Sequence, residues 1–219
     1  MAMDDIYQRQ VALLISVMPH VTAEECFALK GGTAINLFVR DLPRLSVDID
    51  LTYLPLKSRE DALADIDAAM RRIAKGVTDT IGGARVTTAK ADGRINKLFV
   101  RANDVQIKIE VTPVLRGCVF DPELRPVSPK VEDQFGFAEA RIVSFADLYA
   151  GKLVAALDRQ HPRDLFDVRD LLANEGIGDD LRRAFLVYLI SLICPLQSGP
   201  KVNLDWTPKE TNNGQEARA

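Results

Sequence analysis

Histidine and cysteine are scarce in this chain of 219 residues, which holds two of the first, His20 and His161, and three of the second, Cys26, Cys118 and Cys194. So few histidines leave neither a histidine-built zinc site nor a Ser-His-Asp triad with enough material. His161, followed by Pro162, reads as the residue that opens a helix. The cysteines lie far apart among apolar neighbours, the pattern of reduced core thiols in a cytoplasmic protein and not of a disulfide frame. Long apolar runs are missing as well. The longest, residues 184–194, is too short to cross a bilayer, and Asp4-Asp5 stand where a signal peptide would carry basic charge, so no membrane association is expected. Nor is there an excess of positive charge. Lys and Arg total 28 against 31 Asp and Glu, a formal net charge of −3, so a nucleic-acid partner has to be held by local basic patches. What remains, 47% apolar and 27% charged residues, describes an ordinary globular chain long enough for one domain with a helical extension.

The sequence is organised around residues 27–51, FALKGGTAINLFVRDLPRLSVDIDL. The apolar Phe27-Ala28-Leu29 meets Gly31 and Gly32, and apolar residues then recur at helical spacing from Thr33 to Phe38, which predicts strand, glycine turn and helix. Paired glycines let backbone N–H groups approach an anion, and the helix start adds partial positive charge, so a phosphate fits over the turn. After a turn at Asp41-Leu42-Pro43-Arg44 the chain alternates with period two. Val47, Ile49 and Leu51 point into a core, while Ser46, Asp48 and Asp50 share the opposite face. Two carboxylates side by side on a strand repel each other unless a cation lies between them, and hard oxygen ligands suit magnesium carrying a nucleotide's phosphates.

Elsewhere in the first half the expectations are plainer. A helix over residues 5–18 ends at Pro19, and Ser58 caps another over residues 59–75, with Arg71, Arg72 and Lys75 at its end as the helix dipole favours. Residues 84–89, 97–101 and 105–111 read as strands, the last two joined by a tight turn at Asn103-Asp104. In the third, Val105, Ile107, Ile109 and Val111 form one face and Gln106, Lys108 and Glu110 the other. Glu110 is thus the natural third carboxylate beside Asp48 and Asp50 if the two strands are neighbours. Residues 112–141, broken by four prolines and two glycines, read as a long irregular connection at the rim of a cleft.

From Ser144 the pattern is helical, over residues 144–159, 162–175 and 179–194. Lys152 and Arg159 lie seven apart, hence on one face, with Ala155 and Ala156 between them, a surface able to approach a triphosphate. In Arg163-Asp164-Leu165-Phe166-Asp167 the two acids share one side of the next helix. The tail, polar and rich in proline, asparagine and glycine, is expected to be disordered.

A glycine turn followed by paired acids on the next strand resembles the nucleotidyltransferase superfamily typified by DNA polymerase β, and I-K-I-E-V looks like its third acidic element. More narrowly, K-G-G-T-A-I-N-L with R-x-S-x-D-I-D-L, then G-K-L-x-A-A-x-x-x-R and P-R-D-L-F-D, resemble the AbiEii-type nucleotidyltransferase toxins of abortive-infection and toxin–antitoxin systems. The likeness covers residues 27–172, four motifs in the family's order. It implies functional positions at Ser46, Asp48 and Asp50, at Lys152, and at Asp164 or Asp167. Two features depart from it: the long gap between the glycines and Asp48, and an early end after the last motif, which implies reduced substrate contacts from the C-terminal region.

The fold expected is α/β (α+β): a small mixed sheet with flanking helices in a nucleotidyltransferase core over residues 1–143, a helical part over 144–195, and the disordered tail over 196–219. Asp48, Asp50 and Glu110 would hold Mg2+ on a nucleoside triphosphate, and the Gly31-Gly32-Thr33 turn with Ser46 would hold its phosphates. Lys152 would neutralise the leaving pyrophosphate, with Arg44 or Arg159 assisting, and Asp164 or Asp167 would orient Lys152 or touch the nucleotide. The resemblance implies an RNA acceptor, a tRNA 3′ end, and a cognate antitoxin protein as partner. Arg40, Arg44, Arg71, Arg72, Lys75, Arg182 and Arg183 are the basic groups available to RNA. A small-molecule acceptor such as an aminoglycoside, or a non-catalytic nucleotide- or antitoxin-binding module, are the alternatives.

Overall fold

In the computed structural model, which describes residues 2–193, the run Phe27-Ala28-Leu29 is buried because its strand lies inside one seven-stranded mixed sheet. Across that sheet run Arg85–Ala91 (β3), Arg94–Ala102 (β4), Val105–Arg116 (β5), Asp48–Tyr53 (β2), Phe27–Lys30 (β1), Glu139–Ile142 (β7) and Glu123–Pro126 (β6). Two pairs, β2 with β5 and β1 with β7, are parallel, and the others antiparallel. The sheet is therefore mixed as expected, but larger than the small one foreseen.

The difference comes from residues 112–141, which do not form an irregular connection. β5 continues to Arg116, and β6, the short helix α4 (Pro129–Phe135) and β7 follow. Burial of Ala138, Ala140 and Ile142 on alternate residues makes β7 a strand, and Pro126 is tolerated because β6 lies at the sheet edge.

One face of the sheet is closed by α1 (Ala2–Thr22) and α3 (Arg59–Thr80). Val11, Leu14 and Met18 of α1 and Ile66, Met70 and Ile73 of α3 join Ile49, Leu51, Ile107 and Ile109 of the sheet in one apolar cluster. Each such side chain contributes about 1.5–3 kcal/mol when fully buried. Both helices outrun the expected ends. α1 passes through Pro19, its last turn held by buried Val21 and by the Ala23 N–H donating to the Pro19 carbonyl at 3.1 Å. α3 continues through Gly76 because His20 of α1 packs there: a Cβ on that glycine would lie 2.7 Å from the His20 ring. The same ring shares a 2.8 Å hydrogen bond with Thr80, tying the two helix ends together. Arg71, Arg72 and Lys75 consequently sit within α3, not at its end.

The other face of the sheet carries charge, because β2 and β5 alternate as predicted. It faces the consecutive helices α5 (Phe145–Arg159), α6 (Pro162–Asn174) and α7 (Asp179–Ile193), of which α5 packs on both α6 and α7. Ser144 caps α5 by accepting from the Asp147 N–H at 3.0 Å, and His161 opens α6 by accepting from the Arg163 N–H with Pro162 at the first position. Among the described residues no helix is long and apolar enough to cross a membrane. The tail over 196–219 and Cys194 lie outside the described residues.

Candidate active site

β1 ends in the glycine turn, and the turn tolerates nothing larger. Gly31 has φ +78°, and a Cβ there would lie 2.7 Å from Asp50 Oδ2. A Cβ on Gly32 would meet the Arg44 guanidinium and, at 2.8 Å, Ser46 Oγ. Backbone conformation and close approach thus require glycine independently at position 31. The turn runs into α2 (Gly31–Ala34), which widens into a π-helical turn over Ile35–Val39. Thr33 and Ser46 share a hydroxyl hydrogen bond of 3.1 Å, fastening this element to the chain entering β2.

Register aligns the charges of the sheet. Lys30 of β1 lies opposite Asp50 of β2, Asp50 opposite Glu110 of β5, and Glu110 opposite Lys97 of β4; Asp48 lies opposite Lys108. Asp48, Asp50 and Glu110 therefore share one face. Both Glu110 oxygens are taken by lysines, Oε1 by Lys97 at 2.8 Å and Oε2 by Lys108 at 2.9 Å, and Lys108 also stands 3.5 Å from Asp48. Burial pushes the Asp50 carboxyl above its ordinary value; Lys108 and Lys30 oppose that, and Asp48 and Glu110 add to it. Burial acts on Glu110 in the same sense, but the hydrogen bonds from Lys97 and Lys108 outweigh it and hold that carboxyl low. Lys30 is pushed down by its burial, with Asp50 and Glu110 opposing.

Opposite stands a wall of buried ion pairs. Lys152 Nζ of α5 donates to Asp164 Oδ1 at 2.9 Å and lies 3.0 Å from Asp167 Oδ2, both acids from one face of α6. Arg159 Nε bonds the other Asp164 oxygen at 2.7 Å. Arg44 grips Asp167 with two bonds of 2.7 Å. Burial would raise the Asp164 carboxyl, but Arg159 and Lys152 outweigh it and hold it below the usual range. The sequence left open whether Asp164 or Asp167 would orient Lys152 or touch the nucleotide; in the structure both carboxylates lie within 3.0 Å of Lys152 Nζ. Arg44 joins this wall to the glycine turn, since its guanidinium lies where a Gly32 side chain would be.

Between sheet face and wall lies a cavity of about 580 Å³ lined by Gly31, Asp48, Asp50, Glu110, Lys152 and Arg159 among others. That is the size of a small-molecule site. Among the described residues no three acidic, histidine or cysteine side chains converge as an ion cage. Asp48 and Asp50 offer two hard carboxylates beside open space, the donor set of a divalent ion that completes its coordination with substrate phosphates. A metal of that kind fits here.

The sequence reading did not single out Lys30, Lys97 and Lys108, although the parity of β5 already set Lys108 beside Glu110. Tyr188 of α7 and Arg163 also line the cavity and were not foreseen. Most of the cations proposed for RNA have partners within the chain. Arg40 bonds Asp170 and Glu175, Arg44 Asp167, Arg71 Asp67, Arg72 Glu24, Lys75 Asp79 and Arg182 Asp179.

A family model described as the nucleotidyl transferase AbiEii toxin of a type IV toxin–antitoxin system matches residues 12–201. Among solved structures, the chain is similar to MenT4, a nucleotidyltransferase toxin from Mycobacterium tuberculosis H37Rv, with a TM-score of 0.61 at 19% identity over 84% of this chain and 66% of that one. The chain thus spans just under two thirds of that toxin. A solution structure of the antibiotic-resistance factor ANT(2″)-Ia matches with a TM-score of 0.49 at 14% identity, over 85% of this chain and 95% of that one. No curated protein was found to match the sequence.

Proposed function

The chain belongs to the AbiEii nucleotidyltransferase toxin family, and from that premise we propose that it transfers a nucleoside monophosphate from a nucleoside triphosphate to a hydroxyl at an RNA end, a tRNA 3′ end in the first instance. The observation that carries this reading is the position of Asp48 and Asp50 beside the Gly31-Gly32 turn, lining one cavity with Lys152. The turn's amides receive the triphosphate, and Asp48 and Asp50 would hold a divalent ion, magnesium, which would supply Lewis-acid polarisation of the phosphates. The acceptor oxygen forms its bond to the α-phosphorus as the bond to pyrophosphate breaks, and the hydroxyl proton is released. Lys152, held in place by Asp164 and Asp167, neutralises the charge that grows on the leaving group, with Arg159 at the cavity mouth. Such fixed positive charge acts in the transition state without having to reorganise. The family's toxin–antitoxin setting gives the protein a cognate antitoxin as partner.

One observation favours a second reading, a small polyhydroxylated acceptor of the aminoglycoside kind. With Arg40, Arg44, Arg71, Arg72, Lys75 and Arg182 held by the chain's own carboxylates, an RNA backbone has fewer cations to displace counterions. Incubation with each labelled nucleoside triphosphate, magnesium and total cellular RNA separates the two. Label is expected in RNA, with transfer falling steeply between roughly 50 and 200 mM salt. No label in RNA at low salt, beside ready modification of an aminoglycoside, replaces the first reading with the second.

A further inference from the structure

On the sheet side of the cavity three carboxylates, Asp48, Asp50 and Glu110, are matched by three ammonium groups, Lys30, Lys97 and Lys108. A face already neutral has little electrostatic reason to take up a bare dication. Among the three lysines, Lys108 alone reaches two carboxylates. Its Nζ is bonded to Glu110 at 2.9 Å and stands at 3.5 Å from Asp48, so one contact is close and the other loose. Lys97 sits on the far oxygen of Glu110, and Lys30 lies across from Asp50 on the next strand.

We propose that Lys108 is an internal counter-ion for Asp48 that keeps a divalent ion out until a nucleoside triphosphate draws the lysine away, so that metal and nucleotide bind together and neither binds well alone. The inference rests on the nucleotidyltransferase reading above and adds a residue and a binding order to it. Its physical basis is short. An ammonium beside Asp48 and a dication on Asp48 repel each other in a partly desolvated site. A triphosphate brings several negative charges to the same cavity and gives the Lys108 ammonium a new partner at the end of a flexible stem whose backbone stays fixed in β5. The first ligand then removes what opposes the second, which is positive coupling, and the coupling is reciprocal. Glu110, with both oxygens on lysines, acts in this scheme as a positioning residue for Lys108 and not as a ligand.

The test is Mn2+ binding, followed by electron paramagnetic resonance or calorimetry on the full chain, with and without a non-hydrolysable nucleoside triphosphate. The wild-type protein is expected to bind Mn2+ weakly alone and about 100-fold or more tightly with the analogue. In Lys108→Met, Mn2+ alone should bind about tenfold or more tightly than to wild type, and the gain from the analogue should shrink, with the analogue's gain from Mn2+ shrinking equally, as linkage requires. Lys108→Arg, which keeps the charge, should behave as wild type, and Lys108→Gln replaces the methionine variant if that fails to fold. Mn2+ binding to the charge-removing variant no tighter than to wild type overturns the counter-ion role while leaving the transferase reading intact. Wild-type protein that takes up neither Mn2+ nor the analogue, alone or together, brings down both.

Discussion

The two sides of the cavity are built from the same groups, carboxylates and cations, and they are built differently. On the sheet side Asp48, Lys108 and Lys97 stay partly open to solvent, and their contacts follow from strand register alone. On the helical side Asp164 and Asp167 are almost wholly buried, each grasped by two cations with bonds near 2.7–3.0 Å. The open arrangement can exchange partners, and the buried one cannot without leaving a charge stranded. The difference teaches where the molecule holds a fixed geometry and where it expects a ligand.

Removing a charge should therefore have opposite consequences on the two sides. Asp167→Ala leaves Arg44 and Lys152 without their shared partner, and breaking a buried pair in this way costs about 3–5 kcal/mol. Urea unfolding measures it, and a loss under about 1 kcal/mol would erase the contrast. Asp48→Asn, on the open side, should leave the unfolding free energy in urea within about 0.5 kcal/mol of wild type, because the loose, half-exposed contact with Lys108 that it loses is worth little and repulsion of Asp50 is relieved at the same time. Transfer should nevertheless fall by roughly 100-fold or more, the scale of losing a group that stabilises developing charge. A variant that keeps its activity removes Asp48 from the mechanism.

Gly31→Ala sits at the seam. It forces a side chain into a left-handed backbone and against Asp50, a strain of about 1–3 kcal/mol that should also displace Asp50 and weaken nucleotide binding. Equilibrium unfolding and calorimetry with the triphosphate analogue read the two effects separately.

The smallest effect is a difference in sign with pH. Asp50 has its folded-state value raised above 3.8, so its contribution is present below that value and is lost as pH rises through the folded one. Asp164 has its value lowered from 3.8, so its contribution is present above that value and is lost as pH falls through the folded one. Asp50→Asn should thus compare more favourably with wild type at pH 7 than at pH 4, and Asp164→Asn less favourably. Parallel trends in the two variants would show that both carboxylates feel the same surroundings.

What was legible in the sequence divides along the same line. Local chemistry was readable: the period-two alternation that put Asp48 and Asp50 on one face, the Ser144 cap, Pro162 at a helix start, the left-handed turn at Asn103-Asp104. The spacing of Asp164 and Asp167 likewise announced a shared face. Contacts set by strand order were not. That Lys108 meets Asp48 depends on β5 lying parallel to β2, which no local pattern states. β7 was hidden because its four residues follow a stretch broken by Pro122, Pro126 and Pro129 that argues for loop, and pairing with β6 on one side and β1 on the other makes them a strand. The Asp92-Gly93 hairpin between β3 and β4 carried a readable signal, two left-handed residues at a D-G pair, that the strand boundaries overlooked.

The bond between Arg44 and Asp167 joins residues 123 apart in the chain. Synthesis proceeds from the N-terminus, so the glycine turn, both aspartates of β2 and Lys152 itself leave the ribosome before the α6 acids that hold Lys152 in position. The sheet face is thus complete in the chain order before the two acids that grip Lys152 in the folded protein.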